Sequence, residues 1–156
     1  MTTTTTAAGH IRHPGPSIMI IDPDHRVRSA LRRLLEASHS NASIVEAGNA
    51  ATALAEARAR SFDLILVDTL LPDLYGSCEL IRHISDQPTT AVIALGVRQD
   101  DAANAVSAGA RVFIRKTASS EQLLSAVRAA STPRFETSPP SDSSGDPHGN
   151  EDWSTF

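Results

Sequence analysis

Residues 17–25 read SIMIIDPDH. Four consecutive apolar side chains, Ile18 to Ile21, run straight into Asp22, and Pro23 separates that aspartate from Asp24. An unbroken apolar run this short, bounded by turn residues, marks a strand buried on both faces. The same signature recurs at Asp63–Val67 (DLILV), which leads to Asp68, and at Ala91–Leu95 (AVIAL), which leads to Gly96. Strands of this kind belong to parallel sheets with helices over both faces.

The intervening stretches supply those helices. Asp24–Glu36 sets Val27, Ala30, Leu31, Leu34 and Leu35 at helical spacing, with Asp24 placed to cap the first turn. A weaker strand, Ser43–Glu46, precedes an alanine-rich helix over Asn49–Arg60 that Asn49 can cap. The loop Thr69–Gly76 contains Pro72 and leads into a helix expected over Ser77–Ile84. Asp100–Ala108 reads as a helix ended by Gly109, Val112–Arg115 as the fifth strand, and Ser119–Ala130 as the last helix. The expected fold is α/β, a five-stranded parallel sheet with helices on both faces.

Composition bounds the function classes. Of 156 residues, 40% are hydrophobic and 21% charged, the usual balance of a globular chain. Residues 1–16 are threonine-rich and then broken by Gly and Pro, and residues 132–156 are rich in Pro, Ser and acid. Both are expected to be disordered, flanking a folded domain over 17–131. The acidic tail carries the whole net charge of −4, because residues 1–130 hold 13 acidic and 13 basic side chains. That balance gives no basic footprint, so direct nucleic-acid binding is not expected. No apolar run is long enough to cross a membrane, and the first residues lack a secretory apolar core. The single cysteine, Cys78, excludes an internal disulfide and suits a reducing, cytoplasmic setting. The six histidines show no zinc-ligand spacing.

In open α/β sheets, ligands bind outside the carboxyl ends of the strands. Here those ends carry Asp22, Asp68, Gly96 and Lys116. Lys116 is the one lysine among fourteen basic residues, so a compact ammonium at this edge stands out from a chain that otherwise uses arginine. Taken singly, each of these residues has a plain structural explanation, a helix cap or a solvated loop side chain. Their convergence on one edge does not.

From Ser17 to Ala130 the chain resembles the receiver domain of two-component response regulators, of the chemotaxis-regulator-like kind. The residues that carry the resemblance are IIDPDHRVRSALRRLLE, DLILVDTLLPDLYG, AVIALG and GARVFIRKTAS. The resemblance implies a flavodoxin-like (βα)5 fold with strand order 2-1-3-4-5. It makes Asp68 the phospho-acceptor, a carboxylate nucleophile served by a histidine kinase or phosphotransfer protein. It makes Lys116 the phosphoryl contact, and Asp22, Asp68 and the backbone carbonyl of Leu70 the ligands of a Mg2+ ion. Phe113 falls where the family has its switch aromatic. The face around Phe113, with Arg111 and Arg115, is then the expected docking surface for a downstream protein. Homodimer formation is left open. KTAS, with no proline after the lysine, is most like regulators that carry a C-terminal helix-turn-helix. Only 26 residues follow Ala130 here, so a stand-alone receiver is expected.

Two positions depart from the family pattern. Pro23 stands where a second acidic metal ligand is usual, which implies a weakened Mg2+ site unless Asp24 reaches back into the pocket. Gly96 stands where threonine or serine is usual and offers no hydroxyl. These departures support an alternative, an atypical receiver that binds partners independently of phosphorylation. A remote alternative is an enzyme, because Asp22-Pro23-Asp24 after an apolar strand also resembles the DxD element of haloacid-dehalogenase-type phosphatases. Arg26 stands where those phosphatases have threonine or valine, and such short motifs often arise by chance. In the tail, Phe135, Trp153 and Phe156 lie among acidic residues, a pattern that suits docking in an apolar groove.

Overall fold

The computed structural model describes residues 15–131. Along the chain run β1 (Ser17–Ile21), α1 (His25–Ser38), β2 (Ser43–Ala47), α2 (Ala50–Ala59), β3 (Leu64–Asp68), α3 (Leu74–Ser85), β4 (Ala91–Gly96), α4 (Ala102–Ala108), β5 (Val112–Arg115) and α5 (Ser120–Ser131). The strands form one parallel sheet in the order β2-β1-β3-β4-β5. This is the flavodoxin-like order that the resemblance implied. The expected disordered N-terminal segment, 1–16, and the acidic tail, 132–156, lie outside the described residues except for Gly15 and Pro16, whose carbonyl accepts the Ser43 N–H at 2.9 Å.

Side chains alternate across each strand and so build two cores. Met19, Ile21, Ile65, Val67, Val92 and Ala94 face α2, α3 and α4, where Ala53, Ile81, Ile84 and Ala105 meet them. Ile18, Ile20, Leu64, Leu66, Ile93 and Leu95 face α1 and α5, packing on Leu31, Leu35, Leu123 and Val127. Every residue of β3 and β4 is buried. The unbroken apolar runs therefore reflect two covered faces, each fully buried aliphatic side chain contributing roughly 1.5–3 kcal/mol.

Local signals explain the boundaries. Asp24 accepts the Arg26 N–H at 2.8 Å and caps α1. Asn49 accepts the Thr52 N–H at 2.8 Å and caps α2. Gly109 ends α4 at φ 126°, a conformation that strains any side chain.

Two elements differ from expectation. Helix α3 starts at Leu74, three residues before the expected Ser77, because Asp73 Oδ1 accepts the Gly76 N–H at 2.7 Å. That cap, typically about 1 kcal/mol, offsets the cost of a glycine in the first turn. The stretch expected to open the fourth helix forms a 3-10 turn over Gln99–Asp101, and α4 proper begins at Ala102.

Candidate functional site at the carboxyl edge of the sheet

Adjacent central strands end in carboxylates. Parallel register sets Ile21 of β1 beside Val67 of β3, so Asp22 and Asp68 leave the sheet side by side. Lys116 follows β5, and its N–H donates to Gly96 O at 2.8 Å, prolonging the β4–β5 ladder by one step. From there its ammonium crosses the edge, donating to Asp22 Oδ2 at 2.7 Å and lying 3.4 Å from Asp68 Oδ1. Three of the residues singled out at the strand ends thus form one cluster, with Asp22 1% and Asp68 5% exposed and Lys116 half-buried over them.

The electrostatics follow from burial and charge. Burial pushes the Asp68 carboxyl above its ordinary range, the Lys116 charge pulls it back, and the neighbouring Asp22 charge adds to the rise. Burial alone would depress the Lys116 ammonium. The hydrogen bond to Asp22 and the charges of Asp68 and Asp22 together outweigh that, and its pKa rises. Lys116 is therefore a permanent cation at neutral pH.

Pro23 has a local explanation. Asp22 Oδ1 accepts the N–H of Asp24 at 2.8 Å, closing a tight turn in which residue 23 needs no donor and a preset φ is favourable. Asp24 itself is exposed, and its carboxylate accepts the Arg26 N–H at the start of α1. Arg28 fixes the other side of this turn, its Nη1 donating to Asp22 O at 2.7 Å while Nε pairs with Glu46 at 3.4 Å. Nothing in the sequence marks Arg28, because its partners lie on a neighbouring loop and strand.

The β3–α3 loop is held by Ser77, a residue that sequence patterning does not single out. Its Oγ accepts the Leu71 N–H at 2.7 Å and donates to Asp68 O at 3.0 Å, fully buried. Leu70, between them, is 43% exposed, and its N–H donates to Asp68 Oδ1 at 3.3 Å. A serine facing the core from the first turn of a helix is the available signal, but an expected start of α3 at Ser77 conceals it.

Gly96 and Phe113 meet directly. Phe113 pairs with Ala94 across β4–β5 and is half-buried against the α3–α4 core. Its ring turns inward over Gly96, so that a Cβ there would lie 2.6 Å from Cε2. Arg111 and Arg115 are exposed to either side, and Arg111 Nη1 donates to Ala130 O at 2.8 Å, tying β5 to α5.

Among the described residues, no group of three His, Cys, Asp or Glu side chains gathers as metal ligands. The edge offers two carboxylates, Asp22 and Asp68, with the Leu70 carbonyl as the next candidate in the chain. Magnesium takes one or two carboxylates and completes an octahedral shell with water, carbonyl and phosphate oxygens, so this donor set fits it. No helix of the described residues is long and apolar enough to cross a membrane.

Comparison with known proteins agrees with this geometry. The transcriptional regulatory protein ResD of Bacillus subtilis (strain 168) is 32% identical over 114 residues, covering 72% of this chain and 46% of ResD. The nitrate/nitrite response regulator protein NarP of Escherichia coli (strain K12) is 32% identical over 114 residues, covering 72% of this chain and 53% of NarP. The chain thus spans about half the length of these curated relatives. A CheY-like response regulator receiver domain protein from Methanospirillum hungatei JF-1 superposes with a TM-score of 0.67 at 24% identity, over 74% of this chain and 93% of that one. At that identity it supports the fold alone. The family model described as the response regulator receiver domain matches residues 18–128, and the chain belongs to that family.

Proposed function

We propose that Asp68 accepts a phosphoryl group from a histidine kinase or a histidine phosphotransfer protein, and that the domain passes a two-component signal on in the cytoplasm. Receiver domains are signalling domains, generally not enzymes, and they typically bind Mg2+ at the acidic site. The observation that carries this reading is the Lys116 ammonium set between Asp22 Oδ2 at 2.7 Å and Asp68 Oδ1 at 3.4 Å. A fold-only module has no need of two buried carboxylates around one lysine.

In this reading an Asp68 carboxylate oxygen attacks phosphorus as the P–N bond of the donor phosphohistidine breaks, and the imidazole leaves with the electron pair. Lys116, held protonated, donates to the incoming phosphoryl oxygens. The buried Leu71–Ser77–Asp68 hydrogen bonds hold the acceptor strand and its loop still. Asp22, Asp68 and the Leu70 carbonyl would hold Mg2+, which when bound offsets the repulsion between the carboxylate and the anionic donor. With Pro23 in place of a carboxylate and Asp24 engaged at the helix cap, the ion is held more weakly than by a full acidic set. The downstream partner docks on the face around Phe113, Arg111 and Arg115.

Intact-mass spectrometry tests this. Incubation with acetyl phosphate and Mg2+ adds one phosphoryl mass to the wild-type chain and none to Asp68→Asn. No addition at high Mg2+, together with no addition from a set of phosphorylated histidine kinases, would sink the reading.

A second reading is favoured by one observation. The Phe113 ring packs over Gly96, a residue with no hydroxyl to couple the ring to Asp68. A receiver whose aromatic is set this way presents the same docking face in either state. Partner capture unchanged by Asp68→Asn supports this phosphorylation-independent module, and capture lost in that variant excludes it.

A further inference from the structure

Thr69 directly follows the acceptor and is fully buried, yet its Oγ1 has no hydrogen-bond partner among the described residues. A buried hydroxyl with no protein partner is costly, and such groups call for a reason. Backbone pairing places it well. The Thr69 N–H donates to Leu95 O at 2.8 Å, anchoring the residue beside the end of β4. Strand alternation turns its side chain to the face of Val67, Ala94 and Phe113. There Oγ1 lies 2.5 Å from the point that a Cβ on Gly96 would occupy. The end of β4 thus has no side chain of its own, and a hydroxyl from the neighbouring strand fills the gap beside the acceptor.

A phosphoryl group on Asp68 brings three strongly accepting oxygens. The side-chain and backbone donors seen at the Asp68 carboxylate are the Lys116 ammonium and the Leu70 N–H. Residue 96, being glycine, adds no hydroxyl. We propose that the Thr69 hydroxyl is a further phosphoryl-contact donor, turning about one side-chain bond to a terminal phosphoryl oxygen and so gaining the partner that its buried Oγ1 lacks among the described residues. The proposal rests on Asp68 being the acceptor.

The test uses the full chain as wild type, Thr69→Val, Thr69→Ser and Asp68→Asn. Beryllofluoride with Mg2+ serves as a phosphoryl mimic whose apparent Kd is read by NMR, and acetyl phosphate as donor with uptake and loss followed by intact mass. Val keeps the shape of Thr and loses the hydroxyl. Ser keeps the hydroxyl and loses the methyl. Thr69→Val is expected to weaken beryllofluoride binding roughly tenfold to a hundredfold, the effect of one hydrogen bond to a charged group, with Thr69→Ser close to wild type. Thr69→Ala, expected to show the same loss, stands in if the valine variant does not fold. Binding by Thr69→Val equal to wild type overturns the proposal and leaves the acceptor reading intact. So does a loss in Thr69→Ser matching or exceeding that in Thr69→Val, which marks a packing role. Neither beryllofluoride binding nor phosphoryl uptake by the wild-type chain overturns both.

Discussion

Phe113 and Gly96 interlock. The phenyl ring fills the space that a side chain at position 96 would need, with Cε2 2.6 Å and Cζ 2.9 Å from the site of a Cβ. Glycine at the end of β4 is therefore more than the absence of a hydroxyl. It is the condition for the inward position of the aromatic. The two residues are 17 positions apart in sequence and meet because β4 and β5 are neighbours in the sheet.

Restoring a side chain at position 96 should therefore move the ring. Gly96→Thr is expected to cost about 1–3 kcal/mol by overpacking and to turn Phe113 toward solvent. Urea denaturation reads the first effect, and the ring-proton chemical shifts of Phe113 the second. Unchanged shifts in a folded Gly96→Thr variant would contradict the interlock.

The raised pKa of Asp68 fixes the sign of a pH effect. The folded protein holds this proton to higher pH than the unfolded chain does, because burial and the Asp22 charge disfavour the anion. The stability linked to Asp68 is thus full below the ordinary carboxylate range and is lost as pH rises through the raised pKa. Asp68→Asn should accordingly be more stable than wild type at pH 7, with the difference shrinking toward pH 3. Denaturant midpoints at the two pH values decide it.

Lys116 has the opposite importance. Lys116→Met leaves Asp22 and Asp68 facing each other with no cation between them. The expected cost at pH 7 is about 2–3 kcal/mol, below that of a fully buried pair because Lys116 is 24% exposed. The pKa of Asp68 should rise further, which a carboxyl-carbon NMR titration would follow. A variant as stable as wild type, with the Asp68 titration unmoved, would show that the ammonium does not couple to the pair.

Ser77 links the end of β3 to the β3–α3 loop through two hydrogen bonds. Ser77→Ala strands the buried Leu71 N–H at a cost of about 1–3 kcal/mol. Amide exchange at Leu71 should speed up with the loss of stability, and phosphoryl uptake should slow because the loop next to Asp68 loosens. Exchange at the wild-type rate would show that the amide has another partner.

Removing divalent metal should abolish phosphoryl uptake from acetyl phosphate, and the Mg2+ concentration for half-maximal rate should fall when Pro23→Asp restores a carboxylate. Equal Mg2+ requirement in both proteins would mean that residue 23 does not reach the ion.

The fold is legible in the sequence because its main signals are local. Unbroken apolar runs at Ile18–Ile21, Leu64–Val67 and Ala91–Leu95 identify strands covered on both faces, and Asp24, Asn49 and Gly109 mark helix ends through contacts within a few residues. The alignment of Asp22, Asp68 and Lys116 at one edge follows from strand polarity alone. The start of α3 escapes such signals, because the cap at Asp73 lies upstream of a glycine that looks like a terminator. What only the tertiary structure decided are pairings between strands and loops distant along the chain: Arg28 on the Asp22 carbonyl, Ser77 on the Asp68 carbonyl, and Thr69 and Phe113 converging on Gly96. Periodicity tells which face a side chain takes. It does not tell which rotamer it adopts there or which neighbour it meets, and those are set by close packing between elements.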